Sequence, residues 1–266
     1  MSKTYDVAVI LRALATLLLA VFLFAGGRAH GARPVTVLFD EAHGQRFLAE
    51  KDGPLDLSAL ATLFRDEGLQ VRTNGQPVTD HVLSGVDVLV ISGPFAPYTP
   101  AEIDATTRFV SRGGRLCVML HIGPPVAELL HRLNVSISNG VIRERENVIN
   151  DDPLNFHVTR LTPHALTRNL DAFDVFGAWA LLSTSENATV IAETGPNAWV
   201  DLNGDQKLSA GDAVQAFGVV VAGQLGKGRF AVFGDDAIFQ NRFLTGGNLA
   251  LGKNLVRWLR EGTELT

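Results

Sequence analysis

The chain has 266 residues, 46% of them hydrophobic, and a formal net charge of −5. That length and apolar content allow one or two domains with a substantial core. An acidic balance with no Lys/Arg cluster argues against a nucleic-acid partner, and one cysteine rules out an internal disulfide and a cysteine-built zinc site.

The first thirty or so residues read as an export signal. Lys3 and Arg12 mark a short charged start, and Ala13 to Gly27 carries no charge. A bilayer span needs about 20 apolar residues. This run is shorter and suits the h-region of a signal peptide, with cleavage after Ala29 or Ala32. The rival reading is an uncleaved anchor over Val7 to Gly27, with Lys3 and Arg12 on the cytoplasmic side. Residues 1–32 are therefore expected to be a signal peptide or N-terminal membrane anchor. Residues 33–262 are expected to form an extracytoplasmic domain, periplasmic or secreted.

From Pro34 onward strand and helix patterns alternate. Pro34 to Asp40 is a β-branched run and reads as the first strand. Leu57, Leu60, Ala61 and Phe64 recur at helical spacing, with Asp56 as a candidate cap and Gly68 as the stop. Leu69 to Thr73 is a short second strand, and Val86 to Ser92 a continuous apolar one, as when both faces are covered. Thr99, Pro100 and Glu102 form a capping box at the start of a helix that ends at Gly113-Gly114. Arg115 to His121 reads as the next buried strand and Pro125 to Leu133 as the next helix. Later, Ala188 to Thr194 and Phe217 to Asp235 read as strands, the second folded into a hairpin at Gly226-Lys227-Gly228. A last helix presents Leu251, Leu255, Trp258 and Leu259 on one face. The rhythm predicts an α/β fold: a doubly wound, mostly parallel, flavodoxin-like sheet with helices on both faces and an antiparallel C-terminal hairpin.

Three stretches carry a resemblance. VDVLVISGPFAPYTPAEIDATTRFVSRGGRLCVML resembles the middle of a class I glutamine-amidotransferase-like domain: strand, Gly-Pro loop, capped helix, Gly-Gly, strand. VLFDEAHGQRF and GKGRFAVFGDDAIFQNRFLTGGNLALGKNLVRWL resemble the first strand and the closing strand-loop-helix of a non-catalytic, uncharacterised branch. Its members accompany ABC-transporter auxiliary and gliding-motility proteins, so the resemblance implies a membrane complex or transporter component as partner. The family's chemistry needs a cysteine on a tight strand-to-helix turn beside a histidine base. Cys117 lies inside a strand instead, so a core role is expected for it and amidotransferase activity is not.

Ligands of open α/β sheets bind beyond the carboxyl ends of the strands. The pattern delivers Asp40, Glu41, His43 and Gln45 there, then Ser92 and Gly93, then His121, then Asp235 and Asp236, with Asn241 and Asn248 just after. These groups suit a small molecule or glycan. The competing reading is structural, with Asp235 and Asn248 capping the final helix and His43 fixing its own loop. A third reading is a hydrolase using Asp40, His43, His121 and Asp235 around a metal or water.

DLNGDQKLSAGD, residues 201–212, places Asp201, Asn203, Asp205, Lys207, Ser209 and Asp212 at the ligand positions of a 12-residue calcium loop, Lys207 by its backbone carbonyl. The pattern resembles the dockerin and EF-hand loop, with Gln206 where such loops keep glycine for a left-handed turn. Leu208 is expected to tie the insert to the body. The whole predicts an exported, non-enzymatic binding or scaffold module with structural calcium.

Overall fold

The computed structural model describes residues 33–262; the export-signal reading of residues 1–32 lies outside them. Among the described residues no helix is long and apolar enough to cross a membrane. In chain order the first half holds β1 (Thr36–Asp40), α1 (Ser58–Asp66), β2 (Gln70–Asn74), β3 (Val88–Ser92), α2 (Pro100–Ser111), β4 (Arg115–Met119) and α3 (Ala127–Arg132). Nine strands follow before the last hairpin is complete: β5 (Val135–Arg143), β6 (Val148–Ile149), β7 (Asp152–Val158), β8 (Arg160–Leu161), β9 (Phe173–Phe176), β10 (Trp179–Ser183), β11 (Ala188–Glu193), β12 (Trp199–Val200) and β13 (Ala213–Val214). The hairpin is β14 (Gly218–Leu225) with β15 (Gly228–Phe233), and α4 (Gly246–Arg260) closes the fold.

Strands β2, β1, β3, β4 and β15 lie side by side and parallel. The continuous apolar runs of β1 and β3 are buried because both faces are covered, while β2 is an exposed edge. Phe39, Val90 and Met119 pack with Leu60 and Phe64 of α1 and Leu251 and Leu255 of α4. Leu38, Leu89, Ile91 and Val118 pack with Ile103 and Val110 of α2 and Leu129 and Leu130 of α3. Each such side chain removed from water contributes about 1.5–3 kcal/mol. Helix α2 starts as expected: Thr99 and Glu102 make both bonds of the capping box, with Pro100 in the first turn. Helix α1 starts differently. The Asp56 carboxylate accepts from the Leu48 and Gly53 amides, and the Ala59 amide donates to Asn241 Oδ1, 182 residues away.

The remainder corrects the expectation of a mostly parallel sheet. From β15 the sheet continues antiparallel through β14, β10, β5, β12 and β13, with β11 and β8 branching from β14. Strands β6, β7 and β9 form a separate antiparallel sheet. The architecture is therefore α/β with a mixed sheet. The C-terminal hairpin does form, and Gly226 is required in its turn. Its φ is +59°, and a Cβ there would sit 2.5 Å from the Ser111 carbonyl oxygen.

Candidate functional site

The carboxyl ends of β1, β3, β4 and β15 bring most of the anticipated polar residues to one edge, where they divide into two groups. The first is buried. His43 Nδ1 is 2.6 Å from Asp40 Oδ2, its Nε2 is 3.0 Å from Glu102 Oε1, and its ring stacks on Tyr98 at 3.6 Å. Asp40 also accepts from the Tyr98 hydroxyl at 2.5 Å, from Gln45 Nε2 at 2.9 Å and from Asn74 Nδ2 at 3.3 Å. Gln45 Oε1 accepts from the His43 amide, and Glu102 Oε1 from the Val78 amide. Burial opposes the His43 imidazolium, yet Asp40 and Glu102 together raise its pKa above the ordinary value. Burial likewise opposes ionised Glu102, but bonds from Thr99 and Val78 hold it low. Burial and Asp40 push the Tyr98 phenol well up. These bonds tie the loop after β1 to β2, to α2 and to the loop after β3. Glu41 does similar work, accepting from the Ala49 amide, and burial raises its pKa.

The second group reaches solvent. His121, just past β4, has a side chain 39% exposed, and its Nδ1 lies 3.2 Å from Asp236 Oδ1. Phe47 and Phe95 flank the imidazole with ring centroids at 5.2 and 5.3 Å. The Arg46 guanidinium covers the same Phe95 ring at 4.5 Å. Trp179 Nε1 donates to the His121 carbonyl oxygen. The Asp236 hydrogen bond raises the His121 pKa. Burial raises the Asp236 pKa against that bond. Burial and the neighbouring Asp236 push Asp235 up to about 7. Asp236 Oδ2 and Ser92 Oγ are buried with no hydrogen-bond partner among the described residues. Gly93 makes room for the Asp236 carboxylate: a Cβ at this position would fall 2.5 Å from Asp236 Oδ2.

The other anticipated members are brackets. Asp235 accepts from the Phe176 and Ala237 amides rather than capping α4. Asn248 clasps the Asp174 backbone through both ends of its amide, and Asn241 joins Gly53, Ser58 and Ala59. Asp40, His43, His121 and Asp235 do not form one hydrogen-bonded constellation, because each histidine engages its own carboxylate. Arg46, Phe47, Phe95 and Trp179 escaped the sequence reading. The first two directly follow Gln45, so their place on the loop after the first strand was available. Clefts of about 540 Å³ beside Leu63 and Leu244, and of about 430 Å³ beside His164 and Trp258, share no residue with this edge.

Cys117 sits inside β4, paired with Val90 and Ala231 on either side. It is fully buried, and burial raises its thiol pKa far beyond the ordinary value. No elbow presents it.

The 201–212 segment joins β12 to β13. Asp201, Asp205 and Asp212 bring carboxylate oxygens within 4.8 Å of one another. Their oxygens also accept loop amides: Gly204 and Gln206 donate to Asp201, Lys207 to Asp205, Leu202 and Ser209 to Asp212. Asn203 Nδ2 donates to Ser209 Oγ. Gln206 adopts φ +61°, the left-handed turn required at its position. Leu208 does not tie the loop down; it is exposed, as are Leu202 and Val214.

Residues 50–256 match the family model described as a domain of unknown function (DUF4350). Comparison with curated proteins gives no match. The fold is similar to the mmIFT52 N-terminal domain at 17% identity and TM-score 0.69, covering 85% of this chain and 98% of that one. It is also similar to a ThuA-like protein from Bacteroides uniformis at 16% identity and TM-score 0.53, covering 88% and 95%. The cytoplasmic protein STM1381 from Salmonella typhimurium aligns at 15% identity and TM-score 0.50, covering 84% and 98%. These findings overturn the resemblance to a glutamine-amidotransferase-like domain with a dockerin-like calcium insert. The physical reason is that a capped helix between buried strands, ended by glycines, reports only βαβ packing, which many lineages share. The acidic segment likewise follows a metal-loop spacing but is spanned by two-residue strands, not by helices.

Proposed function

The chain belongs to the DUF4350 family, and from that premise we propose that it is an exported, non-enzymatic binding module that holds its ligand at the His121 edge. One observation supports this above others. His121 is the half-exposed imidazole at the carboxyl ends of parallel strands, steadied by buried Asp236 and bordered by Phe47 and Phe95. That is where open α/β sheets, here read as flavodoxin-like and doubly wound in their parallel part, take ligands. The ligand is a small molecule or glycan; if residues 1–32 stay as an anchor, it is a group on a membrane complex. Alkaline phosphatase fused to the C-terminus tests export, since the fusion is active only outside the cytoplasm. Thermal denaturation against a panel of sugars, sugar acids and small carboxylic acids tests the edge. Stabilisation by one class, lost in His121→Ala, is expected; equal stabilisation of the variant would move the ligand elsewhere.

The Asp236-to-His121 bond favours a second reading, a hydrolase in which the imidazole takes a proton from water. Turnover of nitrophenyl esters or glycosides by the wild type, abolished in His121→Ala, would establish it over the non-enzymatic reading.

The 201–212 loop is proposed to hold structural calcium through Asp201, Asp205 and Asp212, with Asn203, Ser209 and the Lys207 carbonyl as further oxygen donors. Three neighbouring carboxylates favour a hard cation. Calorimetry should show millimolar-range binding that Asp201→Asn and Asp212→Asn remove; no heat at about 10 mM Ca²⁺ would reject it.

A further inference from the structure

Resting on the reading of the His121 edge as a ligand site, we propose that its ligand is an anion with a flat or apolar body, such as a ring bearing a carboxylate, whose acid group is met by Arg46 and His121 while its body lies against Phe47 and Phe95. The argument begins with which charges this edge presents. Arg46 is exposed, and its guanidinium lies 4.5 Å from the Phe95 centroid. His121 stands 5.3 Å from the same ring and is half exposed. One phenyl ring therefore borders a guanidinium and an imidazole at a solvent-facing site. The carboxylates behind them do not reach solvent. Asp236 engages His121 through Oδ1, and Asp235 the Phe176 and Ala237 amides, and both are buried. Arg46 and the protonated form of His121 present positive charge to solvent here, which favours ligands of opposite charge. Both cations carry planar donor sets, and guanidinium in particular matches a carboxylate bidentately. Phe47 and Phe95 supply apolar surface for the rest of the ligand, whose burial favours a ring over a free inorganic ion.

The groups that set the charge of His121 are Asp236 and Asp235 on its inner side and Arg46 on its outer side. Asp236 favours the imidazolium, the form that attracts an anion. A bound acid group adds a second negative neighbour and raises the His121 pKa further. As pH rises through that value the imidazolium is lost and the acid should dissociate.

The test uses the full chain with ¹⁵N-labelled histidine and two matched pairs of probes: glucuronate with glucose, and benzoate with benzyl alcohol. Each pair keeps the ring and changes the charge. At least one acid is expected to move the His121 ring resonances and raise its titration midpoint, at least tenfold more tightly than its neutral twin. Arg46→Gln should weaken that acid about fivefold, the scale of one partly exposed charge pair. His121→Gln should remove the pH dependence. Arg46 is exposed, so its variant should fold as the wild type does. Equal binding of acid and neutral twin would overturn the anionic assignment while leaving the ligand edge standing. Silence from both acids would overturn the assignment, and with the compound panel silent too, the edge reading falls with it.

Discussion

Replacing Glu102 with Ala tests what holds this edge together. Its carboxylate accepts from four donors: His43 Nε2 and the Val78 amide on one oxygen, and the Thr99 amide and hydroxyl on the other. The variant leaves His43 Nε2 and the Val78 amide buried without an acceptor, at about 1–3 kcal/mol each. The Thr99 cap itself survives, because its hydroxyl still accepts from the amide of residue 102. Thr99 is exposed and finds water in place of the carboxylate. The expected loss is about 2–6 kcal/mol, a large part of the 5–15 kcal/mol that usually holds a domain. Glu102→Gln should cost nearly as much, because its amide group must turn a donor toward donors at one end or the other. The pH profile adds a second signature. His43 has a folded pKa raised above its ordinary value, so its contribution is complete below about 6.5 and is lost as pH rises through the folded value. Glu102 has a lowered folded pKa, so its contribution is present above about 4.3 and is lost as pH falls through the folded value. The wild type should therefore weaken on both flanks, and both variants should show flatter curves. Urea unfolding followed by tryptophan fluorescence at acidic, neutral and alkaline pH measures this. A loss under about 1 kcal/mol, or an unchanged profile, would show that the network is incidental to stability.

Gly93→Ala should lower the melting temperature and displace His121, since the new methyl meets Asp236 Oδ2 at 2.5 Å and His121 Cβ at 3.1 Å with φ at +52°. The backbone alone costs about 1–2 kcal/mol, and an unshifted melting curve would contradict the geometry. Asp235, with a folded pKa near about 7, keeps a proton in the native state that the unfolded chain gives up near 3.9. Its contribution to stability should thus fall as pH rises between those values, by up to about 4 kcal/mol. Asp235→Asn should erase that slope at the expense of one amide bond, and a parallel slope in the variant would assign it to other groups. Cys117 should resist Ellman's reagent in the native protein and react at the rate of unfolding; rapid stoichiometric labelling would mean that β4 is not where the structure has it.

The parallel part of the fold could be read from the chain because its signals are local. Val86 to Ser92 and Arg115 to His121 are unbroken apolar runs, and Thr99, Pro100 and Glu102 fix the helix between them before any tertiary contact forms. Much of the antiparallel part depends on partners far apart in sequence. Ile137 pairs with Leu181, and the Ala180 amide donates to Ser138 Oγ. Ser136 to Arg143 alternates weakly, and Asn134, Asn147, Asn150 and Asp151 bend the chain through positive φ at short intervals. The partners of Ser136 to Arg143 stand on β10 and β12, far along the chain, so no local window shows its ladders. Helix α1 makes the same point at one atom. Asp56 looks like its cap, but Asn241 supplies the acceptor for Ala59 after folding has brought the two together.

The division of the edge follows from one segment that a strand-end argument ignores. The loop after β3 lies back over the loop after β1, with the Phe95 and Ala96 amides both donating to the His43 carbonyl oxygen. Its Tyr98 roofs the His43 ring, while the Phe95 side chain turns to His121. Both histidines stand just beyond parallel strands, and each bonds an aspartate through Nδ1. They differ at the second nitrogen. The first turn of α2 brings Glu102 to His43 Nε2 and closes its valence, so that imidazole is consumed by the fold. Among the described residues His121 bonds only through Nδ1, and it is the one left partly in water. A residue becomes a functional candidate here when the fold has made only half of its hydrogen bonds. That condition depends on a helix N-terminus arriving at one histidine and not at the other, which residue type and strand position alone do not encode.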